Sequence, residues 1–212
     1  MRLRVLDFGL APALRTQAIY HGIAETMTPD SDPVLCLVSP EDPYVCIGMH
    51  QEMDKEVDQD FCKGANLPVY RRHVGGGAVY LDKDQLFTHF IYPRSKAPTL
   101  AANLYPLFIE PVVRTYQELG VNAAYRPVND IQVNGRKIGG TGAASIAEAT
   151  VMVGSFMFDF DTLTMSKCLK VPSEKFRDKL KTTPDACMTT IVKELGGGNS
   201  GGAVAVPVPA RV

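Results

Sequence analysis

Two short segments of this chain bring together the residue types that hold anions. The first is Arg71-Arg72-His73-Val74-Gly75-Gly76-Gly77-Ala78-Val79-Tyr80-Leu81-Asp82, in which three successive glycines follow two arginines. Glycine has no Cβ, so such a backbone can turn tightly and come close to a ligand. Its N–H groups can then converge on an oxyanion, and the arginines add forked donors matched to phosphate or carboxylate. No Gly-Lys-Ser/Thr follows, so this is not a P-loop. A strand-like run follows instead of a helix, at the wrong glycine spacing for a dinucleotide fingerprint. Taken alone, the segment reads equally well as a glycine-rich hairpin with two solvated arginines. The second segment spans residues 127–144. There Asn129-Asp130 precedes a hairpin whose return strand delivers Lys137 just before a further Gly-rich bend. A lysine on a rigid strand can hold its ammonium against a carbonyl or phosphate in a water-poor cleft. Alone, Lys137 reads as a surface hairpin lysine. Each segment, however, sets anion-binding residues beside backbone freed by glycine, and the pair points to one site.

The surrounding pattern indicates what would position these residues. Residues 11–27 open with Ala-Pro and carry Ile19, Ile23 and Met27 at spacing four, which predicts a helix. Two apolar runs, 34–38 and 44–48, flank Ser-Pro-Glu-Asp-Pro and read as a strand pair. Residues 54–63 are polar and helix-like, ending at Gly64. Residues 67–71 form a strand leading into the triple glycine, and strands over 78–81 and 86–92 lie on either side of a polar turn. Leu104, Phe108, Val112, Tyr116 and Leu119 predict a second amphipathic helix, with Pro111 expected to kink it. Asn134-Gly135 between 131–133 and 136–138 is a type I′ hairpin signal. Residues 150–160 are apolar on both faces, as in a central strand, and the rest, to about Leu195, reads as helical. Residues 196–212 read as a flexible Gly/Pro-rich tail. The sum is an α+β domain whose mixed β-sheet is covered by helices.

Composition narrows the function classes. At 212 residues the chain is the size of one large ordinary domain, or of one domain plus a small appendage, and can bury roughly 70% of its unfolded surface. Lys plus Arg number 22 against 23 Asp plus Glu, so no charge surplus draws it to nucleic acid or an anionic membrane. Five cysteines, at 36, 46, 62, 168 and 187, include no CxxC pair, and neither a disulfide framework nor a zinc site is indicated. The first residues lack the apolar core of a secretion signal, and no run of about 18 apolar residues occurs. The expected location is cytoplasmic, with no membrane partner.

The paired motifs resemble the lipoate–protein ligase A family, whose catalytic fold is shared with biotin–protein ligases and octanoyltransferases. The resemblance rests on Arg71, Arg72, Gly75, Gly76, Gly77, Ala78, Val79, Tyr80 and Asp82, followed by Asn129-Asp130-Ile131 and Gly135-Arg136-Lys137-Ile138-x-Gly140. It covers residues 5–195 and implies a ligase-like catalytic domain over 1–195, without the family's C-terminal accessory domain. It also implies a two-step reaction: lipoate (or octanoate) and ATP give an acyl-AMP, and a lysine of a lipoyl-domain or glycine-cleavage-H-like carrier protein then takes the acyl group. Lys137 would be the catalytic clamp on the acyl carbonyl and an α-phosphate oxygen. Arg71, Arg72, the loop from Gly75 to Tyr80, Asn129 and Asp130 would bind the adenylate, with Asp130 the candidate magnesium contact. ATP and Mg2+ are the implied cofactors, lipoate the substrate, and a separate accessory-domain protein a further partner.

Three places depart from the family pattern. Leu81-Asp82-Lys83-Asp84-Gln85 stands for His-Asp-x-Gly-Asn, Ala144 for a closing arginine, and Val153-Gly154 for a late His-Gly. The rival readings are an octanoyl or lipoyl transferase using a preformed donor, and a non-catalytic carrier-binding module on the same fold. A cysteine-dependent transferase would need a cysteine near residues 125–128, where none stands, and the biotin-ligase loop of GRGRxGR type is missing.

Overall fold

The structure, a computed structural model, describes residues 2–170 and 187–196. The chain opens with strand β1 (Arg4–Ala11), exposed along nearly its whole length. It therefore carries no buried/exposed alternation for sequence reading to find. Helix α1 (Ala13–Glu25) follows Pro12, and its buried stripe is Ala13, Thr16, Tyr20 and Ala24. The expected Ile19 and Ile23 pack beside that stripe as partly buried residues.

The two apolar runs form β2 (Val34–Pro40) and β3 (Tyr44–Ile47), but these strands do not pair with each other. Neither has an exposed residue, and the Ser-Pro-Glu-Asp-Pro segment carries the chain from one sheet to another instead of closing a hairpin. The large sheet has the order β1-β2-β6-β10-β9-β8-β7, and the small one β4-β3-β5. The small sheet joins β3 in parallel to β4 (Val69–Arg71) and antiparallel to β5 (Val79–Leu81). Likewise β5 and β6 (Gln85–Pro93), expected on either side of one turn, belong to different sheets.

The single helix expected over 54–63 is two short ones, α2 (Met53–Glu56) and α3 (Gln59–Gly64). Between them Val57 turns inward to full burial and bridges Leu169, while the Asp58 carboxylate accepts the Phe61 N–H as the cap of α3. Helix α4 (Ala101–Glu118) runs as one element with Pro106 and Pro111 inside it. Pro111 does not end it, because both prolines lie on the exposed face and the carbonyls they deprive of an amide belong to the exposed Ala102 and Leu107.

Beyond α4, β7 (Ala124–Arg126) and β8 (Asp130–Val133) lead into β9 (Arg136–Ile146), which pairs with the central strand β10 (Ala149–Met157). The hairpin at Asn134-Gly135 is borne out, with φ of 49° and 80° at those residues. The Gly-rich bend expected after Lys137 is not a bend: residues 139–142 continue β9 as strand. Helices α5 (Thr162–Cys168) and α6 (Ile191–Glu194) complete the described chain. Most of the helical reading of the late segment, at 171–186, and the tail at 197–212 lie outside the described residues.

The large sheet separates two apolar layers. On one face α4 packs Phe108, Ile109, Val112, Val113 and Tyr116 against Phe90, Tyr92, Met152, Phe156, Ile131 and Ile138. On the other, Tyr20 and Ala24 of α1 meet Cys36, Ile91, Val151 and Val74. The Tyr116 hydroxyl donates to the Ile138 carbonyl at 2.9 Å and accepts the Met157 N–H at 3.1 Å, tying β9 to β10 from behind. The α1 face also carries the small sheet, and the candidate site lies there.

Candidate functional site

A central strand covered on both sides should be buried throughout. β10 is not: Ala149, Val151 and Met152 are buried, while Val153, Gly154 and Ser155 are half-exposed. The adjoining stretch of β9, residues 140–144, is half-exposed as well. Both strands are interior to the sheet, so this strip is the floor of a cleft.

The triple glycine forms its roof. Val74 is fully buried among the residues under α1 and anchors the loop to the core. Just beyond it, the Gly75 carbonyl rests on β9: a Cβ added to Gly142 would stand 3.1 Å from that oxygen. Gly76 has φ +105°, a conformation that side chains resist. The loop also needs a glycine that the motif did not supply. A Cβ on Gly48, just after β3, would lie 2.0 Å from the Gly76 carbonyl oxygen, so only glycine lets the two backbones meet. Gly48 went unnoticed in the sequence because it belongs to neither glycine-rich segment.

Both arginines are committed to this architecture. Arg72 is 9% exposed, and its guanidinium donates to the carbonyls of Cys46 at 3.1 Å, Gly75 at 3.0 Å and Gly77 at 2.8 Å. It braces the loop from inside. Arg71 donates to the carbonyls of Gly48, Met49 and Gln51 at 3.0, 3.0 and 2.6 Å, and so holds the neighbouring turn. The Met49 N–H donates to the Val74 carbonyl at 3.2 Å, which joins the two turns.

Lys137 enters from the opposite wall. Its Nζ lies 2.7 Å from Asp130 Oδ1, with both side chains about a third exposed. It crosses directly over Gly140, where a Cβ would stand 2.8 Å from Nζ and 2.9 Å from Cε. Asp130 pairs with Gly140 in the β8–β9 register, so the strand geometry sets both partners. Asn129 plays a supporting part: its Nδ2 donates to the Thr141 carbonyl at 2.8 Å, and the Thr141 N–H donates to the Asn129 carbonyl at 2.9 Å. A segment far along the chain buttresses the base of Lys137. Met188 bridges it in parallel, the Thr189 N–H donates to the Lys137 carbonyl at 2.9 Å, and Glu194 binds Arg136 at 2.6 Å.

Of the remaining motif residues, Ala78 and Val79 lead out of the loop along β5, and Tyr80 is buried with its ring edge-on to Phe160. Asp82 is 8% exposed, and burial pushes its carboxyl up to about 6, partly offset by the N–H of Asp84. The structure thus brings Gly75, Gly76, Gly77, Asp130 and Lys137 around one cleft, and sets Arg71, Arg72 and Asn129 behind its walls. Chemically the cleft offers a cation held by a carboxylate, a glycine loop resting close on β9, and a half-exposed floor. Among the described residues, no three His, Cys, Asp or Glu side chains are placed to hold a metal, and no helix is long and apolar enough to cross a membrane.

Comparison with known proteins gives a consistent answer. The sequence pattern described as "lipoyl protein ligase A/B catalytic domain" matches residues 12–205. Lipoate–protein ligase 1 of Staphylococcus aureus is 34% identical over 137 residues, covering 65% of this chain and 41% of that protein. Lipoate-protein ligase A subunit 1 of Thermoplasma acidophilum is 32% identical over 149 residues, covering 66% and 56%. This chain spans about half the length of the curated relatives it matches. Among solved structures, the bi-partite lipoate protein ligase of the Thermoplasma acidophilum lipoylation system superposes with a TM-score of 0.79 at 27% identity, covering 91% of this chain and 76% of that one. A lipoate-protein ligase A bound with ATP gives 0.78 at 24% identity, covering 92% and 78%, and supports the fold.

Proposed function

Because this chain belongs to the lipoyl protein ligase A/B catalytic-domain family and has the α+β fold of lipoate ligases, we propose that it holds a lipoyl- or octanoyl-adenylate and passes the acyl group to a lysine of a carrier protein. The observation that carries this reading is Lys137 lying over Gly140 against Asp130, on a half-exposed floor beneath the glycine loop. In the first step a carboxylate oxygen attacks the α-phosphorus of ATP and pyrophosphate leaves. In the second the neutral ε-amine of the carrier lysine attacks the carbonyl carbon and AMP leaves. Both transition states build negative charge on oxygens between the acyl and phosphoryl groups. An ammonium already fixed there is worth about 3 kcal/mol, because no reorganisation is needed when the charge appears.

Asp130 holds Lys137 extended across Gly140, and the carrier amine, with an ordinary pKa near ~10.4, must enter neutral. Arg72 acts through the loop it braces, and the amides of Gly76, Gly77 and Ala78 face the nucleotide. Asp130 is already ion-paired and has no partner carboxylates placed for a metal cage among the described residues. Magnesium therefore belongs to the proposal as part of the MgATP substrate, carried chiefly by phosphates.

A lipoyl-bearing carrier domain is the proposed acceptor, as in the Thermoplasma acidophilum system described with its E2 lipoyl domain. A separate accessory protein is the further proposed partner, and residues up to about 195 form the proposed catalytic unit. The cytoplasm suits the buried thiols of Cys36, Cys46, Cys62 and Cys168, with no disulfide among the described residues. The test is to supply the pure chain with lipoyl-AMP and apo carrier domain and weigh the carrier. A mass gain of one lipoyl group is expected. An unmodified carrier, with the adenylate bound and intact, would point to the non-catalytic carrier-binding module instead.

A further inference from the structure

The hairpin that carries Asp130 presents a surface that the reaction above leaves without a task. Residues 127–129 form the turn joining β7 to β8, and β7 is an edge strand of the large sheet. Val128 in this turn is 67% exposed, the most exposed large apolar side chain among the described residues. Its backbone is nevertheless fixed. The Tyr125 hydroxyl donates to the Val128 carbonyl at 2.6 Å, and Asn129 is tied to Thr141 through both its carbonyl and its side chain. Thr141 lies between Gly140, over which Lys137 crosses, and Gly142, on which the Gly75 carbonyl rests. The turn is thus bonded to the cleft floor between clamp and roof. One exposed valine alone is ordinary; its neighbour gives it meaning.

That neighbour is Arg126, which stands opposite Asp130 in the β7–β8 register. Opposed residues share a face with Cβ atoms about 5 Å apart, and opposite charges so placed attract. Here, however, Asp130 is spent on Lys137 at 2.7 Å. Arg126 is exposed, reaches only the Gln132 side-chain oxygen at 3.5 Å, and enters no ion pair among the described residues. The lip of the cleft therefore shows an unpaired guanidinium close to a second cation. A lysine entering to meet the acyl carbonyl must pass both, and like charges at that range repel. The protein that delivers the lysine has to bring a carboxylate for Arg126. A nucleotide phosphate could also satisfy Arg126 but would have no use for Val128 beside it, whereas a protein surface uses both.

Given the acyl transfer proposed above, on which this rests, we infer that Arg126 and Val128 dock the acceptor: a carrier domain whose lysine is flanked by a carboxylate and an apolar side chain. These settle on the guanidinium and the valine as the lysine enters the cleft. The charge sets encounter and register, and the valine excludes water from the centre of the contact.

The experiment supplies the full chain with lipoyl-AMP and compares two acceptors, an apo lipoyl domain and hydroxylamine. Either amine forms its bond to the acyl carbon as the anhydride C–O bond breaks and AMP leaves. Arg126→Glu should lower kcat/KM for the carrier by about tenfold or more, through KM, because a like charge set across an interface is costly. Val128→Asp should act in the same direction. Hydroxylamine, too small to touch either residue, should form lipoyl hydroxamate at the wild-type rate in both variants. Added salt should weaken carrier use by wild type and change Arg126→Glu little. A thermal melt checks folding, and Arg126→Gln and Val128→Ser replace any variant that does not fold. If wild type leaves the carrier unmodified, the functional reading fails and this inference falls with it. If wild type modifies the carrier and both variants keep its KM, the functional reading stands and the docking role is overturned. Equal losses with carrier and hydroxylamine would place the two residues at the adenylate. A loss confined to pyrophosphate release from MgATP would assign Arg126 to phosphates. Either result overturns the docking role as well.

Discussion

Two single side chains carry separable consequences. Removing the ammonium in Lys137→Ala should lower transfer from supplied lipoyl-AMP by on the order of 10²-fold or more. The fold should stay intact, because the ion pair with Asp130 is too open to water to contribute more than about 1 kcal/mol. Single-turnover transfer and a thermal melt check both halves, and near wild-type transfer would remove Lys137 from the mechanism. Asp82 gives a stability prediction. Its carboxyl is held near 6 in the folded chain by burial, above the unfolded value near ~3.9, so the native state takes up the proton more readily. The stability this contributes is full below pH ~4 and is lost as pH rises through 6. Asp82→Asn should therefore match wild type near pH 4 and exceed it at pH 7 by on the order of 2 kcal/mol. Urea midpoints at the two pH values measure this, and a gap of equal size at both would show that the charge is not its cause.

At the scale of elements, local chemistry was readable and sheet membership was not. The hairpin at Asn134-Gly135 and the α4 stripe of Phe108, Val112 and Tyr116 follow from turn geometry and helical period, and both stand in the structure. β2 and β3 read as partners because a short polar, proline-rich link usually closes a hairpin. Whether a strand turns back or crosses to another sheet depends on contacts far away in sequence, here with β6 and β4. The site shows the same division. Lys137 and the triple glycine were legible as residue types. The inward commitment of Arg71 and Arg72, the support from residues 188–194, and Gly48 became visible only once the chain was folded. Two glycine variants test how the elements meet. Gly140→Ala collides with the flexible end of Lys137. It should stay within about 1 kcal/mol of wild type in stability yet lose acyl transfer. Gly48→Ala collides with backbone instead, at the Gly76 carbonyl. It should cost about 1–3 kcal/mol and weaken binding of the acyl-adenylate analogue. Equal behaviour of the two variants in both assays would refute this division of labour.

For the molecule as a whole, the cations of the described residues that face the cleft set which half-reaction of the proposed function the chain should favour. Arg71 and Arg72 each spend their guanidinium donors on three backbone carbonyls of the chain itself, and Lys137 already shares its charge with Asp130. Adenylation must bring a carboxylate up to a triphosphate. Each pair of unit charges at 4 Å repels by about 4 kcal/mol near a protein surface, and that cost needs cations to offset it during positioning. Transfer starts from a single bound adenylate, whose repulsion has already been relieved by loss of pyrophosphate, and it asks only for the glycine loop and Lys137. The chain alone should accordingly lipoylate a carrier from supplied lipoyl-AMP at least tenfold faster than from ATP, magnesium and lipoate. A partner protein that adds cations over the phosphates should raise pyrophosphate release without changing the rate from lipoyl-AMP. Pyrophosphate release and carrier mass, followed from both starting points with the chain alone, decide the matter. Equal rates would mean that the described residues understate the charge available to ATP, and that both half-reactions belong to this chain.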